Sequence, residues 1–282
     1  MGCYVKNKAG LTYLAVFLCA VLLAGVLLTL EMNYQRAKDC SQGQFITGAD
    51  EAVGAAVRGR MSSYGRGEVA TEGHIILDYE EEDGRLKFYT LASYGAFAFE
   101  NGIFTKVSGS GAIPTVITLE KNEAGGYKLL EYNEPMDGAG YLESVKEMFP
   151  RRLHNAVLSG GKSYSDLTDQ QEKQASEYLK SIGRDAPVSA AHVNKVLANI
   201  NVEASNKLFT EFTKHDEFLN SCPYWLGTIE KIEDGVRYIY ATLQSKTEDG
   251  LDLIIFQKKT EDGTVEKEGR YKIVGSEPQL ID

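Results

Sequence analysis

VATEGHIILDYEEEDGRLKFYTLASYGAFAFENGIFTKV, residues 69–107, is the stretch that decides the fold. It is rich in Tyr, Phe, Val, Ile and Thr, whose branched or aromatic side chains fit the pleated surface of a sheet. Glu82-Asp83-Gly84 and Glu100-Asn101-Gly102 punctuate it, and Asp-Gly or Asn-Gly supplies the positive φ that a tight hairpin requires. The pattern predicts strands over Val69–Tyr79, Leu86–Ser93 and Ala96–Val107, continued by Thr115–Glu120 and Tyr127–Asn133 with a turn at Ala124-Gly125-Gly126. This reads as an antiparallel meander with one buried face.

Helices flank it. Thr47 and Asp50 open a helical pattern over about residues 49–62, with Ala52, Val53, Ala56, Val57 and Met61 on one stripe and Gly65 and Gly67 beyond its end. Leu142, Val145, Met148 and Phe149 place a helix over Tyr141–Leu158, interrupted by Pro150. Residues 48–160 thus read as a first α+β domain. SGGKSY, 159–164, reads as a linker into a second domain over 161–282. There a polar helix runs from Thr168 to Gly183, which caps it, and Asp185, Pro187 and Ser189 turn the chain. Helical spacing follows over 190–214 through Val193, Val196, Leu197, Ile200, Leu208, Phe209 and Phe212. A four-stranded meander then covers Trp225–Ile232, Val236–Gln244, Leu251–Lys259 and Val265–Val274, with Asp-Gly turns at 234–235, 249–250 and 262–263. The echo between EDGRLKFYTLAS and EDGVRYIYATLQS fits duplication and convergence equally.

Far upstream, LTYLAVFLCAVLLAGVLLTL, residues 11–30, carries no charge. About 20 apolar residues at roughly 1.5 Å each match a hydrocarbon core of about 30 Å, which predicts a transmembrane helix. A cleaved signal peptide is the rival, but the run is long for one and ends in Leu27, Leu28, Thr29, Leu30 and Glu31, with no small-x-small site. Leu18 before Cys19 does not suit lipoprotein processing, and Lys6 departs from the myristoylation pattern. Lys6 and Lys8 precede the run, whereas charges cancel after it, so residues 1–10 are expected in the cytoplasm. A linker over 31–47 would lead to an extracytoplasmic body. Ala20 and Ala24 give the span a face for packing against a membrane-protein partner.

The net charge is −10, and because residues 1–40 hold four basic and two acidic side chains, the remainder carries −12. Such a body has no electrostatic reason to seek nucleic acid. Of four cysteines, Cys3 and Cys19 belong to the membrane region; Cys40 and Cys222 are expected as thiols rather than as a disulfide.

Catalytic patterns are not completed. His74, His154, His192 and His215 are far apart and none begins HExxH. Ser159-Gly160-Gly161-Lys162 fits Ser-x-x-Lys by letter, but its companion motifs are missing; Ala156 also stands where a phosphate loop needs glycine. His215-Asp216-Glu217 reads as a solvated helix end, and Glu80–Asp83 as a wet hairpin tip. Tyr224 and Trp225, after Cys222-Pro223, either line a pocket or enter the core of a sheet. Tyr89, Tyr94, Phe97, Phe99 and Phe104 read as core. Ser108, Gly109, Ser110, Gly111 and Pro114 form the candidate ligand loop, since binding groups often ride on loops held by a rigid sheet. No cofactor or metal is expected.

GHIILDYEEEDGRLKFYTLASYGAFAFENGIFTKVSGSGAIPTVITLEKN (73–122), YKLLEYNEPMDGAGYLESVKEMFP (127–150), YWLGTIEKIEDG (224–235) and RYKIVGSEPQLID (270–282) carry a family resemblance. Together they resemble the extracytoplasmic C-terminal region of bla-regulator-type (antirepressor-like) membrane metallopeptidases of Gram-positive bacteria, without the zinc peptidase domain. The resemblance implies a sensory or interaction module with no catalysis of its own, or an accessory envelope protein that binds a partner.

Overall fold

The computed structural model describes residues 48–60, 67–123, 125–159 and 163–281. Met1–Ala52 and Val53–Asp282 form two compact units. Of the first, only residues 48–52 are described, the opening turn of a helix α1 that runs over 48–60. The apolar run 11–30, with Ala20 and Ala24, lies outside the described residues, as do Cys40 and the Gly160–Lys162 stretch. Among the described residues no helix is long and apolar enough to cross a membrane.

In the second unit the eleven strands among the described residues belong to one sheet, antiparallel except where the two-residue β6 joins it. The first meander is β1 (Val69–Glu82), β2 (Arg85–Glu100), β3 (Ile103–Gly109), β4 (Ile113–Lys121) and β5 (Tyr127–Asn133). After β6 (Val188–Ser189), the second is β7 (Gly227–Glu233), β8 (Val236–Lys246), β9 (Asp252–Thr260), β10 (Val265–Val274) and β11 (Glu277–Ile281). The order is β11-β10-β9-β8-β7-β2-β3-β6, with β1 and β4 also on β2 and β5 on β4. The expected α+β architecture is therefore corrected to a mostly antiparallel sheet with few helices, and the expected leading transmembrane helix lies outside the described residues.

β2 is the hub. It pairs with β1 from Arg85 to Phe97, with β4 from Arg85 to Ala92, with β3 from Gly95 to Glu100, and with β7 at Glu100. Alternate residues of a strand face opposite sides, and here both sides are covered. Tyr89 and Leu91 pack with Val145 of α2 (Tyr141–Met148) and Val157 of α3 (His154–Leu158). Further along the same face Phe97 and Phe99 pack with Ala175 and Leu179 of α4 (Ser163–Ser181). Leu86, Phe88, Thr90, Ala92 and Ala96 on the opposite face are all buried as well. The expected single buried face is thus a strand buried on both.

Two neighbouring stretches also differ from expectation. Ser93 and Ala96 are joined in one strand. Gly95 serves close approach: a Cβ there would lie 2.6 Å from Gln171 Oε1 of α4. Residues 190–201 carry no helix, only a bridge between Val196 and Leu226; Asn201 caps α5 (Val202–Asn206), which continues as a π-helical segment, Lys207–Phe212. With α6 (Glu217–Ser221) these helices cover Tyr240, Ile254, Phe256 and Tyr271 of the second meander.

Hairpin chemistry follows the residues. Asp83-Gly84, Asn101-Gly102 and Asp234-Gly235 each place both residues at positive φ, as a two-residue type I′ turn demands. Gly250 and Gly263 sit there without their Asp, which makes longer turns; in one of them Asp262 accepts from Thr264 N at 3.0 Å.

α4, assigned by its sequence to the second half, lies along the free edge of β1. Gln170 and Gln174, one helical turn apart, behave like a strand. Gln170 accepts from His74 N and donates to His74 O, each at 3.1 Å. Gln174 accepts from Glu72 N at 3.1 Å and donates to Glu72 O at 2.7 Å. Gly73 between them lets the helix approach, since a Cβ there would stand 2.3 Å from Leu167 O. Edge strands expose unpaired backbone groups that invite other chains, and this strap satisfies them.

Candidate functional site

Where β1 ends, the edge of β2 changes partner. Glu68 N donates to Phe97 O at 2.7 Å, the last contact from the β1 side, and four residues later Asn101 N donates to Thr228 O at 2.9 Å. Asn101 Oδ1 also accepts from Thr228 N at 2.9 Å. Gly227, at φ +155, is required here because a Cβ would meet the Trp225 ring at 2.2 Å and Asn101 Oδ1 at 2.3 Å.

One side of this junction is closed by ions. Arg237 of β8 grips Glu68 with Nη1 at 2.7 Å and Nη2 at 2.6 Å, and its Nη1 also reaches Glu230 at 3.1 Å. Arg184, just past α4, donates to Glu230 at 2.6 Å and lies 4.1 Å over the Phe99 ring. Tyr178 of α4 donates to Glu68 at 2.9 Å. Burial alone would push the Glu68 carboxyl up, but hydrogen bonds from Arg237 and Tyr178 and the charges of Arg237 and Arg184 outweigh it and hold it below its ordinary value. The side chains of Arg237, Glu68 and Glu230 are only 9%, 8% and 9% exposed, so these charges depend on one another.

The junction also carries two adjoining hollows. The larger, about 630 Å³, has Ala98, Val107, Ile229 and Ile232 among its walls; the smaller, about 360 Å³, is lined by Lys195, Cys222, Tyr224 and Trp225. Glu100, Ile229 and Lys231 belong to both. Lys195 pairs with Glu100 at 2.9 Å and lies 5.4 Å over the Trp225 ring. Lys231 stands 5.1 Å over the Tyr240 ring and makes no ion pair among the described residues. Burial lowers its pKa, while the charge of Glu233 acts the other way. Glu233 is already engaged by Lys258 at 2.7 Å and by the Tyr240 hydroxyl.

Chemically this is a seat for a charge and an apolar body rather than a nucleophilic centre. Burial pushes the Cys222 thiol up to about 12, which keeps it protonated and unreactive. Among the described residues no histidine lines either hollow, and no group of three His, Cys, Asp or Glu is placed to hold a metal ion.

The candidate ligand loop lies elsewhere and its polar groups turn inward. Ser108 and Gly109 end β3 opposite Ala96 and Gly95, and Pro114 is a buried residue of β4 opposite Leu91. Ser110 N donates to Tyr94 O at 2.9 Å, and its carbonyl accepts from Ser93 Oγ and from the buried Lys106 Nζ, each at 3.0 Å. Gly111 remains exposed. Asp216 caps α6 through Phe218 N and Leu219 N. In the Glu80–Asp83 tip, Glu80 accepts from Tyr89 and Arg152.

Of the residues singled out in the sequence, Trp225 is both core, at 2% exposure, and pocket wall, with Tyr224 exposed beside it. Lys195, Lys231, Glu100 and Arg237 carried no sequence signal beyond ordinary strand or loop charge. No family model, no curated protein and no solved structure matches this chain, so the resemblance to bla-regulator-type tails rests on the quoted stretches alone.

Proposed function

We propose that the body is a non-catalytic binding module, a sensor whose ligand seat is the paired hollow at the β2–β7 junction. The single observation that carries this is Lys231, a half-buried cation without an ion pair among the described residues, shared by two hollows whose other charges are matched. Retaining a desolvated ammonium costs free energy that a bound partner would repay. The combined size lies in the range of small-molecule sites, roughly 300–1,000 Å³. The resemblance to bla-regulator-type tails agrees with a sensory role, and membrane attachment through the apolar run 11–30 is part of the proposal on composition alone.

A second reading, an accessory protein that holds a partner, is favoured by apolar side chains on the same flank: Val196, Leu197 and Tyr224 are 53%, 62% and 60% exposed. Hydrogen exchange of the full chain, with and without compounds selected by thermal shift, separates the two. The sensor reading expects protection confined to residues 98–101 and 225–232. Protection over 194–202 caused only by a protein partner would favour the second reading, and protection confined to the 108–114 loop would contradict both.

A further inference from the structure

Resting on that reading, we infer that the seat takes a small organic monoanion, a carboxylate placed on Lys231 with an apolar body laid along Ala98, Val107 and Ile229. Around the two hollows each carboxylate of the lining has its own cation. Glu68 and Glu230 are neutralised by Arg237 and Arg184; Glu261, which also approaches both arginines at 3.7 and 3.6 Å, is 58% exposed, lines neither hollow and is screened by solvent. Glu100 is neutralised by Lys195 at 2.9 Å, and Glu233 by Lys258 at 2.7 Å. What remains in the lining is the single positive charge of Lys231. A monoanion therefore completes the seat one for one, whereas a dianion such as phosphate would leave its second charge without a partner in a partly desolvated setting.

The apolar part follows from position. Glu100 opposes Ile229 across the strands, so Ala98 and Lys231, two residues along each strand, lie on that same face. An ammonium at the end of an apolar trough favours a head-and-tail ligand over a uniformly polar one. Tyr240, 5.1 Å beneath Lys231, has its hydroxyl donated to Glu233 and does not compete for the incoming anion.

Trp225 is the only tryptophan in the chain and lines the smaller hollow, so its emission reports on this place and no other. The test is a fluorescence titration of the full chain, kept in solution with a non-ionic detergent, against hexanoate, hexanamide, hexylamine and inorganic phosphate. Hexanoate is expected to give a saturable change, with hexanamide at least about tenfold weaker, the worth of one charge-assisted hydrogen bond. Lys231→Arg is expected to keep the preference for hexanoate over hexanamide and Lys231→Met to abolish it. If Lys231→Met fails to fold, the wild-type ratio and Lys231→Arg decide alone. Equal binding of hexanamide, tighter binding of hexylamine, or phosphate matching hexanoate would overturn the ligand chemistry while leaving the seat standing. No saturable change from any of the four would overturn the seat as well.

Discussion

Arg237→Ala is expected to destabilise the folded body by about 3–5 kcal/mol, the usual cost of removing one partner from a buried charge cluster. Arg237 sits between two carboxylates whose side chains are 8% and 9% exposed, and its removal leaves Glu68 with only Tyr178 and Glu230 with only Arg184 among the short contacts. The loss is therefore uncompensated charge rather than lost attraction. pH adds a second signature. Because the folded pKa of Glu68 is held below its ordinary value of 4.5, its contribution is full above that value and is lost as pH falls through the folded pKa. Urea unfolding between pH 7 and pH 3 should show this acid loss in the wild type and a shallower one in Arg237→Ala. A variant within about 1 kcal/mol of wild type, the level of an exposed ion pair, would mean that the cluster is solvated and does not join the two meanders.

Gln170→Ala with Gln174→Ala is the second large effect, about 2–4 kcal/mol from four main-chain hydrogen bonds at roughly 1 kcal/mol each. The double variant strips the free edge of β1 at Glu72 and His74 and leaves α4 held by Ala175, Leu179 and the Gly73 approach. Exposed edges pair with other chains, so self-association should rise along with the loss of stability. Urea midpoints together with light scattering check both. Unchanged stability in a monodisperse sample would show that the strap is incidental.

What the sequence disclosed was local. Asp83-Gly84, Asn101-Gly102 and Asp234-Gly235 fixed three hairpins because the turn chemistry sits in adjacent residues. The break expected between Ser93 and Ala96 falls at Gly95, and only α4 arriving from 76 residues downstream, with Gln171, makes that glycine a close contact within one strand. Val193, Val196 and Leu197 imitate helical spacing, yet Val196 and Leu197 end up exposed beside a single bridge to Leu226. β11 lies beyond the expected strands, and Pro278 within it is a buried residue of a terminal strand, where a missing donor is tolerated. The site was legible only at Tyr224 and Trp225. Glu100 and Lys231 come together through the β2–β7 pairing, Lys195 arrives beside the Val196–Leu226 bridge, and Arg237 reaches Glu68 across 169 residues, a separation that no local pattern encodes.

The continuity of the sheet across that pairing is what places both the ion cluster and the ligand seat. It is tested most directly by equilibrium urea unfolding of the full chain, followed at once by Trp225 emission, which reports on the junction, and by far-ultraviolet circular dichroism, which reports on every strand. One sheet with shared packing predicts coincident transitions with a single midpoint. Two separated transitions, with Trp225 losing its environment while half the strand signal persists, would mean that the meanders fold as independent bodies and would contradict the account.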